Sequence, residues 1–335
     1  MKILNPLAAV VGLALIVFLG SNLGSFVKGI FGLILPWAAF LAFIIFFVMK
    51  MIDWTKTPVP FRIPTTCGQQ KSLPWIKQNK IECPSDNCGV IMRMALEVLC
   101  FRSLFRNTKA EIHDGPQLVY GSSKWLWLFS IIFHYSFLVV VIRHMRLFTD
   151  PMPFFVPFFE YWDGILQLGA PTLYLSGVGL VAGLTALLLR RFINPQVRYL
   201  SLAADYFPLF LILGIALSGI LMRYLVRVDI TAVKGLTVFL ANPISYPFPD
   251  MSGIGAIFFV HVVLVCTLLV YIPFSKLMHM GGVFLSPTRN LANNSRIVRH
   301  INPWNDPKLT PHSYEAYEDE FRDVMKAAGI PVDKE

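Results

Sequence analysis

The chain has 335 residues, of which 55% are hydrophobic, 14% aromatic and only 15% charged, and its mean hydropathy is +0.59. Soluble domains carry about 25% charged residues, so the composition excludes an ordinary soluble protein and specifies an integral membrane protein that meets the lipid bilayer. The formal charge of +9 reads as loop bias, not as nucleic-acid binding, because no basic stretch interleaves with exposed aromatics.

The expected fold is an all-α integral membrane protein with six transmembrane helices. The predicted spans are roughly Ile3–Leu23, Gly29–Met49, Trp125–Leu147, Ile165–Leu189, Phe207–Leu225 and Ile254–Leu277. Each is close to the ~20 residues that cross ~30 Å of hydrocarbon. The first opens at Asn5-Pro6, where Pro is tolerated in a first turn. Its lone Lys2 and weak cleavage site favour a span over a signal peptide.

Charge orients the bundle. With the N-terminus inside, 23 of the 29 Lys and Arg residues fall on the inner side and six on the outer side. The reverse orientation opposes the positive-inside rule. Both termini are therefore expected on the cytoplasmic side of the cell membrane.

The chain then divides into residues 1–50, two N-terminal spans; 51–123, an inner loop; 124–279, a four-helix unit; and 280–335, an inner tail. An outer loop, Arg227–Ser252, is rich in Pro and aromatics. The tail segment Ser313–Ala328 has a helical acidic and apolar pattern that Gly329-Ile-Pro331 stops. Four cysteines, Cys67, Cys83, Cys88 and Cys100, share the inner loop, and Cys266 is intramembrane. Their spacing fits no zinc or cluster pattern, so they read as ordinary thiols in a reducing compartment.

The most informative residues are four histidines in the last four spans. His134 and His144 lie on the third span, His261 on the sixth and His279 at its inner end or just past it. A polar ring in lipid is costly and is usually functional, and imidazole is a common axial ligand of haem iron. The antiparallel course of the two spans pairs His144 with His261 on the outer side and His134 with His279 on the inner side. That makes two bis-histidine sites, for two non-covalent haem b groups, since no C-x-x-C-H motif occurs. The spacings differ: ten residues cover about 15 Å of helix and eighteen about 27 Å. Tilt and a kink at Pro273 are expected to absorb part of this. His113, His300 and His312 lie in polar segments and read as surface residues.

The pattern FHxS…RHMRLF with two further His eighteen apart resembles the cytochrome b family of the respiratory nitrate reductase gamma subunit. Segments 64–77, 95–108, 190–224 and 286–304 resemble more closely the DsrM family, the cytochrome b subunits of the DsrMKJOP membrane complex associated with sulfite reduction. The chain departs from the nitrate reductase type in an extra N-terminal span, the long inner loop and Arg143 before the outer His. The DsrM resemblance implies a diheme subunit that oxidises menaquinol and feeds an iron–sulfur DsrK-like subunit at the cytoplasmic face, alongside the other DsrMKJOP subunits.

Quinol chemistry needs a proton acceptor and a donor to the quinol oxygens. Arg143, Arg146 and Asp150 cluster near the outer histidines, with Tyr161, Trp162 and Asp163 beginning the next span. Arg143 and Asp163 are therefore the candidate quinol residues. Arg143 and Arg146 are also candidates to hold a haem propionate. The competing account is interfacial snorkelling, which applies equally to Arg223 and Tyr224. Docking of the iron–sulfur partner is expected on Arg102–Arg106 and Arg296–Trp304. The alternative functions are a cytochrome b subunit of a heterodisulfide reductase or hydrogenase, and a transporter that relays protons through paired histidines.

Overall fold

The computed structural model describes residues 2–57, 68–105, 109–298 and 310–334. Cys67, Arg106, Arg299, His300 and Trp304 lie outside these residues. The chain is mostly helical. In order it forms α1 (Leu4–Gly20), α2 (Ser25–Thr55) and α3 (Asn87–Cys100). A hairpin follows, β1 (Lys109–His113) with β2 (Gln117–Gly121). Then come α4 (Lys124–Phe148), α5 (Phe155–Asp163), α6 (Leu175–Ile193), α7 (Ala203–Tyr224), α8 (Ile230–Ala241), α9 (Ala256–Tyr271) and α10 (Tyr314–Ala327).

Among the described residues, five helices are long and apolar enough to cross a membrane: α2, α4, α6, α7, and α9 with its extension to Phe274. Helix α1 has 17 residues, about 25 Å at 1.5 Å per residue, which is shorter than the ~30 Å hydrocarbon core. Helix α2 carries a π turn at Ile30–Ile34. Pro36 follows at once and has no N–H for the helical ladder.

Three expectations need correction. The fourth span does not begin at Ile165: Tyr161, Trp162 and Asp163 close the separate helix α5, and α6 starts at Leu175. Gln167 at φ 49°, Gly169 at φ 78° and the imide of Pro171 break the helix between them. The outer loop contains the apolar helix α8, whose Asp229 side chain accepts from the amides of Thr231 and Ala232 as an N-cap. Finally, the fold is not purely α. Asp114-Gly115 turns the chain into the β1–β2 hairpin, with His113 opposite Gln117 and Gly115 at φ 86°.

Packing assigns the helices to two groups. Helix α4 lies on α6 and α8, while α9 lies on α1, α2 and α7. Helices α6 and α7 join the groups. The core is built from Leu184, Tyr206, Leu211, Leu236, Phe259 and Leu264, with Val10 and Val17 of α1 in the same cluster. Small residues set the α4–α6 approach. A Cβ on Gly183 would lie 3.0 Å from the Phe133 backbone nitrogen, and one on Gly179 would lie 2.4 Å from Ser136 Oγ.

The region after α2 is tied to the segment after His279. Arg93, 2% exposed, donates to the carbonyls of Glu82 (3.0 Å), Arg289 (3.0 Å) and Leu291 (2.9 Å). The Asn293 amide donates to Pro84 O at 2.7 Å. Three carbonyls on one guanidinium hold two distant stretches together without a salt bridge. Cys83 is buried and its thiol donates to Gly68 O at 3.3 Å, Cys88 and Cys100 are exposed, and Cys266 is buried in α9.

Candidate functional site

The four histidines His134, His144, His261 and His279 meet in two pairs. The rings of His144 and His261 have centroids 6.3 Å apart and planes 13° apart. Those of His134 and His279 are 6.2 Å apart and inclined at 83°. Two imidazoles bound linearly to one metal, at about 2 Å per bond, place their centroids about 6 Å apart. Both separations match that value, so the donor sets fit an axially ligated metal.

Hydrogen bonding points the rings. His134 Nδ1 lies 2.7 Å from Ser130 O, His144 Nδ1 2.7 Å from Val140 O, and His279 Nδ1 2.8 Å from Lys276 O. A carbonyl only accepts, so each of these Nδ1 atoms carries the proton and each Nε2 keeps its lone pair. His261 Nδ1 meets Ser218 Oγ at 2.9 Å, and that hydroxyl donates to Ile215 O at 2.9 Å. With its proton committed, Ser218 accepts from His261, which gives the same tautomer. Metal-bound histidines characteristically donate their second nitrogen in this way.

The scaffold explains how eighteen residues can match ten. Helix α9 ends at Tyr271, and Pro273 interrupts the ladder. The chain continues as 3-10 turns to Met278 and restarts as a helical turn at His279. His261 and His279 therefore do not share one straight helix. Lys276 anchors the restart: its ammonium pairs with Asp205 Oδ1 at 2.6 Å, and its carbonyl receives His279 Nδ1. At the other end, Lys28 donates to the carbonyls of Ser252 (3.1 Å) and Ile254 (2.9 Å), just before α9. Phe101, at φ 49°, sets its ring 4.9 Å from that of His134.

Beside His144 lies a buried polar cluster. Arg143 Nη1 pairs with Asp163 Oδ2 at 2.7 Å, the side chains being 13% and 4% exposed. Asp163 also accepts from the amide and hydroxyl of Ser176, both at 2.6 Å. Its carboxylate is thus engaged by three donors. Tyr174 lies against two cations: the guanidinium carbons of Arg143 and Arg223 are 3.2 and 4.1 Å from its ring centroid. Its hydroxyl donates to Glu160 Oε1 at 2.7 Å, and Glu160 is also paired with Arg146. Arg223 and Tyr224 both donate to Thr172 O, at 3.1 and 3.2 Å. The Nε atoms of Arg143 and Arg223 are buried and have no hydrogen-bond partner.

The sequence reading named Arg143, Arg146, Asp163, Arg223 and Tyr224, and all five lie in this cluster. Asp150 instead pairs with Lys234, 3.5 Å away. The reading missed Glu160, Tyr174, Ser176 and Ser218. A lone hydroxyl in an apolar run, such as Ser218, is the one signal that was available, since it must find a partner.

Residues 94–301 match the model of the nitrate reductase gamma subunit family. The chain is 44% identical over 286 residues to the "Hdr-like menaquinol oxidoreductase cytochrome b-like subunit" of Archaeoglobus fulgidus, an overlap of 84% of this chain and 85% of the relative. It is 41% identical over 283 residues to the protein of the same description from Archaeoglobus profundus, covering 82% and 83%. A multi-pass membrane protein of cytochrome b type agrees with the five long apolar helices. On the extent of both matches, this chain belongs to the nitrate reductase gamma subunit family.

Proposed function

We propose that this protein is the diheme cytochrome b subunit of a menaquinol-oxidising membrane complex. A quinone-linked electron-transfer role is supported by relatives described as menaquinol oxidoreductase subunits. The observation that carries the diheme reading is the double pairing of rings at 6.2 and 6.3 Å with all four Nδ1 atoms engaged. His144 and His261 would hold one haem b, and His134 and His279 the other. Haem iron supplies reversible one-electron transfer when bound. The protein holds the ligands in one tautomer and spaces the pairs about 15 Å apart along α4, ten residues at 1.5 Å each.

The remaining assignments follow the charge pattern. Helix α1 is the sixth span, completing a bundle with both termini in the cytoplasm of the cell. The His144–His261 end then faces outward and carries the quinol chemistry. Arg143 and Arg146 sit where they can hold haem propionates, and the unpartnered Nε of Arg143 offers one free donor there. Asp163 orients Arg143 at the quinol side. The His134–His279 end faces an iron–sulfur partner of the DsrK or heterodisulfide-reductase type, in a complex of the DsrMKJOP kind that serves dissimilatory sulfur metabolism. The "Hdr-like" description of both relatives supports that partner class over a hydrogenase.

Pyridine haemochrome assay of the fully loaded protein should give about two b-type haems per chain. One haem, or none, defeats the two-pair arrangement. A protein without haem bands would instead fit a histidine relay.

A further inference from the structure

An elongated apolar groove of about 580 Å³ runs along one side of α6 and the end of α7. Tyr174, Gly177, Ala182, Thr185, Leu189 and Tyr224 line it. From Tyr174 to Leu189 it extends over fifteen residues, about 22 Å of helix. Its floor is small and open: a Cβ on Gly177 would meet nothing within 4 Å. One end is different. There the two tyrosines join the Arg143–Arg223 cluster, and the Tyr174 hydroxyl donates a hydrogen bond to Glu160 at 2.7 Å.

We propose that a long-tailed quinol lies in this groove, its aromatic head at Tyr174 and Tyr224 and its isoprenoid tail towards Leu189. The proposal rests on the quinone-linked reading above and adds the place and the proton exit. Three observations favour a quinol over a lipid acyl chain. The polar end offers neutral phenol groups suited to a quinol oxygen. A carboxylate waits behind one of them as a proton acceptor, which an acyl chain does not need. The groove also sits close to a histidine pair. Ile220 lines it, while a Cβ on the neighbouring Gly219 would stand 3.4 Å from His261 Cε1. Groove and His261 thus lie on two sides of one helix, about 10 Å across.

Oxidation breaks two quinol O–H bonds and releases two protons and two electrons. The Tyr174 oxygen accepts a proton from the quinol as its own proton passes to Glu160. Glu160, 24% exposed, releases it to the adjoining water before the second proton follows. A haem held by His144 and His261 would take up the two electrons one at a time.

The test uses the haem-loaded protein with menaquinol-4 and with tail-less menadiol as donors, and dithionite-reduced spectra as the check on folding. Gly177→Leu and Ala182→Phe, which fill the groove, should raise the KM for menaquinol-4 about tenfold more than that for menadiol. Tyr174→Phe and Glu160→Gln should lower kcat about tenfold with both donors and displace its pH profile. If the groove-filling variants show normal spectra and an unchanged KM for menaquinol-4, the groove is not the site, although the quinol reading stands. If neither quinol reduces the haems of the unmodified protein, both readings fall.

Discussion

At the scale of single residues, three backbone carbonyls and one serine hydroxyl fix the orientation of the paired rings. Each paired histidine is held through Nδ1 by an acceptor from its own helix or a neighbour. The pairing makes a sharp prediction for visible and EPR spectra. His144→Ala and His261→Ala should each remove the same haem, and His134→Ala and His279→Ala the other. If His144→Ala and His279→Ala remove the same centre, the pairing is wrong. The four histidines were legible because imidazole is rare and expensive in an apolar run. Tyr174 was not legible as a partner of Arg143, because 31 residues and a helix boundary separate them. Their contact depends on the bend between α5 and α6, which the apolar pattern conceals.

Elements show where periodicity succeeds and where local chemistry overrides it. The long spans α2, α4 and α7 were readable from hydropathy alone. The start of α6 was not, because the Gly- and Pro-containing stretch before it carries no charge and so continues the uncharged run. Asp114-Gly115 carried a hairpin signal that the polar surroundings masked. The α4–α6 approach rests on Gly183, where a side chain meets the Phe133 backbone and not a flexible chain end. Gly183→Val should force the helices apart and reduce haem retention at the His134 pair, measured as haem per chain after purification; full retention with an unshifted spectrum excludes this contact as a determinant of the site. Helix α10 offers a different control. Glu318 accepts from the amides of Asp333 and Lys334, both at 2.8 Å, and from Arg322. These bonds, the Asp333 amide first, hold its carboxyl below the usual range. A depressed folded pKa gives stability that is complete above the unfolded value, about 4.3, and is lost as pH falls through the folded value. Glu318→Gln should therefore speed amide exchange at Asp333 and Lys334 at pH 7, and the difference should vanish in acid. Equal exchange at pH 7 removes Glu318 as the clasp of this helix.

At the scale of the whole molecule, charge lies where the proposed iron–sulfur partner would come. Most of the Lys and Arg residues fall in the segments assigned to the cytoplasm, and Arg93 fastens two of these segments together beside the chain that carries His279. Under the proposed function, an electron acceptor for a haem at His134 and His279 would approach this surface. Helix α10 supplies a further contact of recognisable form. Tyr314, Tyr317, Phe321 and Val324 recur at helical spacing and are exposed, and Glu315, Glu318, Asp319, Glu320 and Asp323 lie between them in sequence. An amphipathic helix with an uncovered apolar stripe is suited to lie in a groove of another subunit. Deleting residues 313–335 should weaken co-purification of the iron–sulfur partner while both haems stay reducible by quinol. Replacing Phe321 and Val324 by Ser should have the same effect without shortening the chain. A truncated protein that retains the partner fully and passes electrons to it at the normal rate leaves α10 outside the docking surface and confines docking to the segments joined by Arg93.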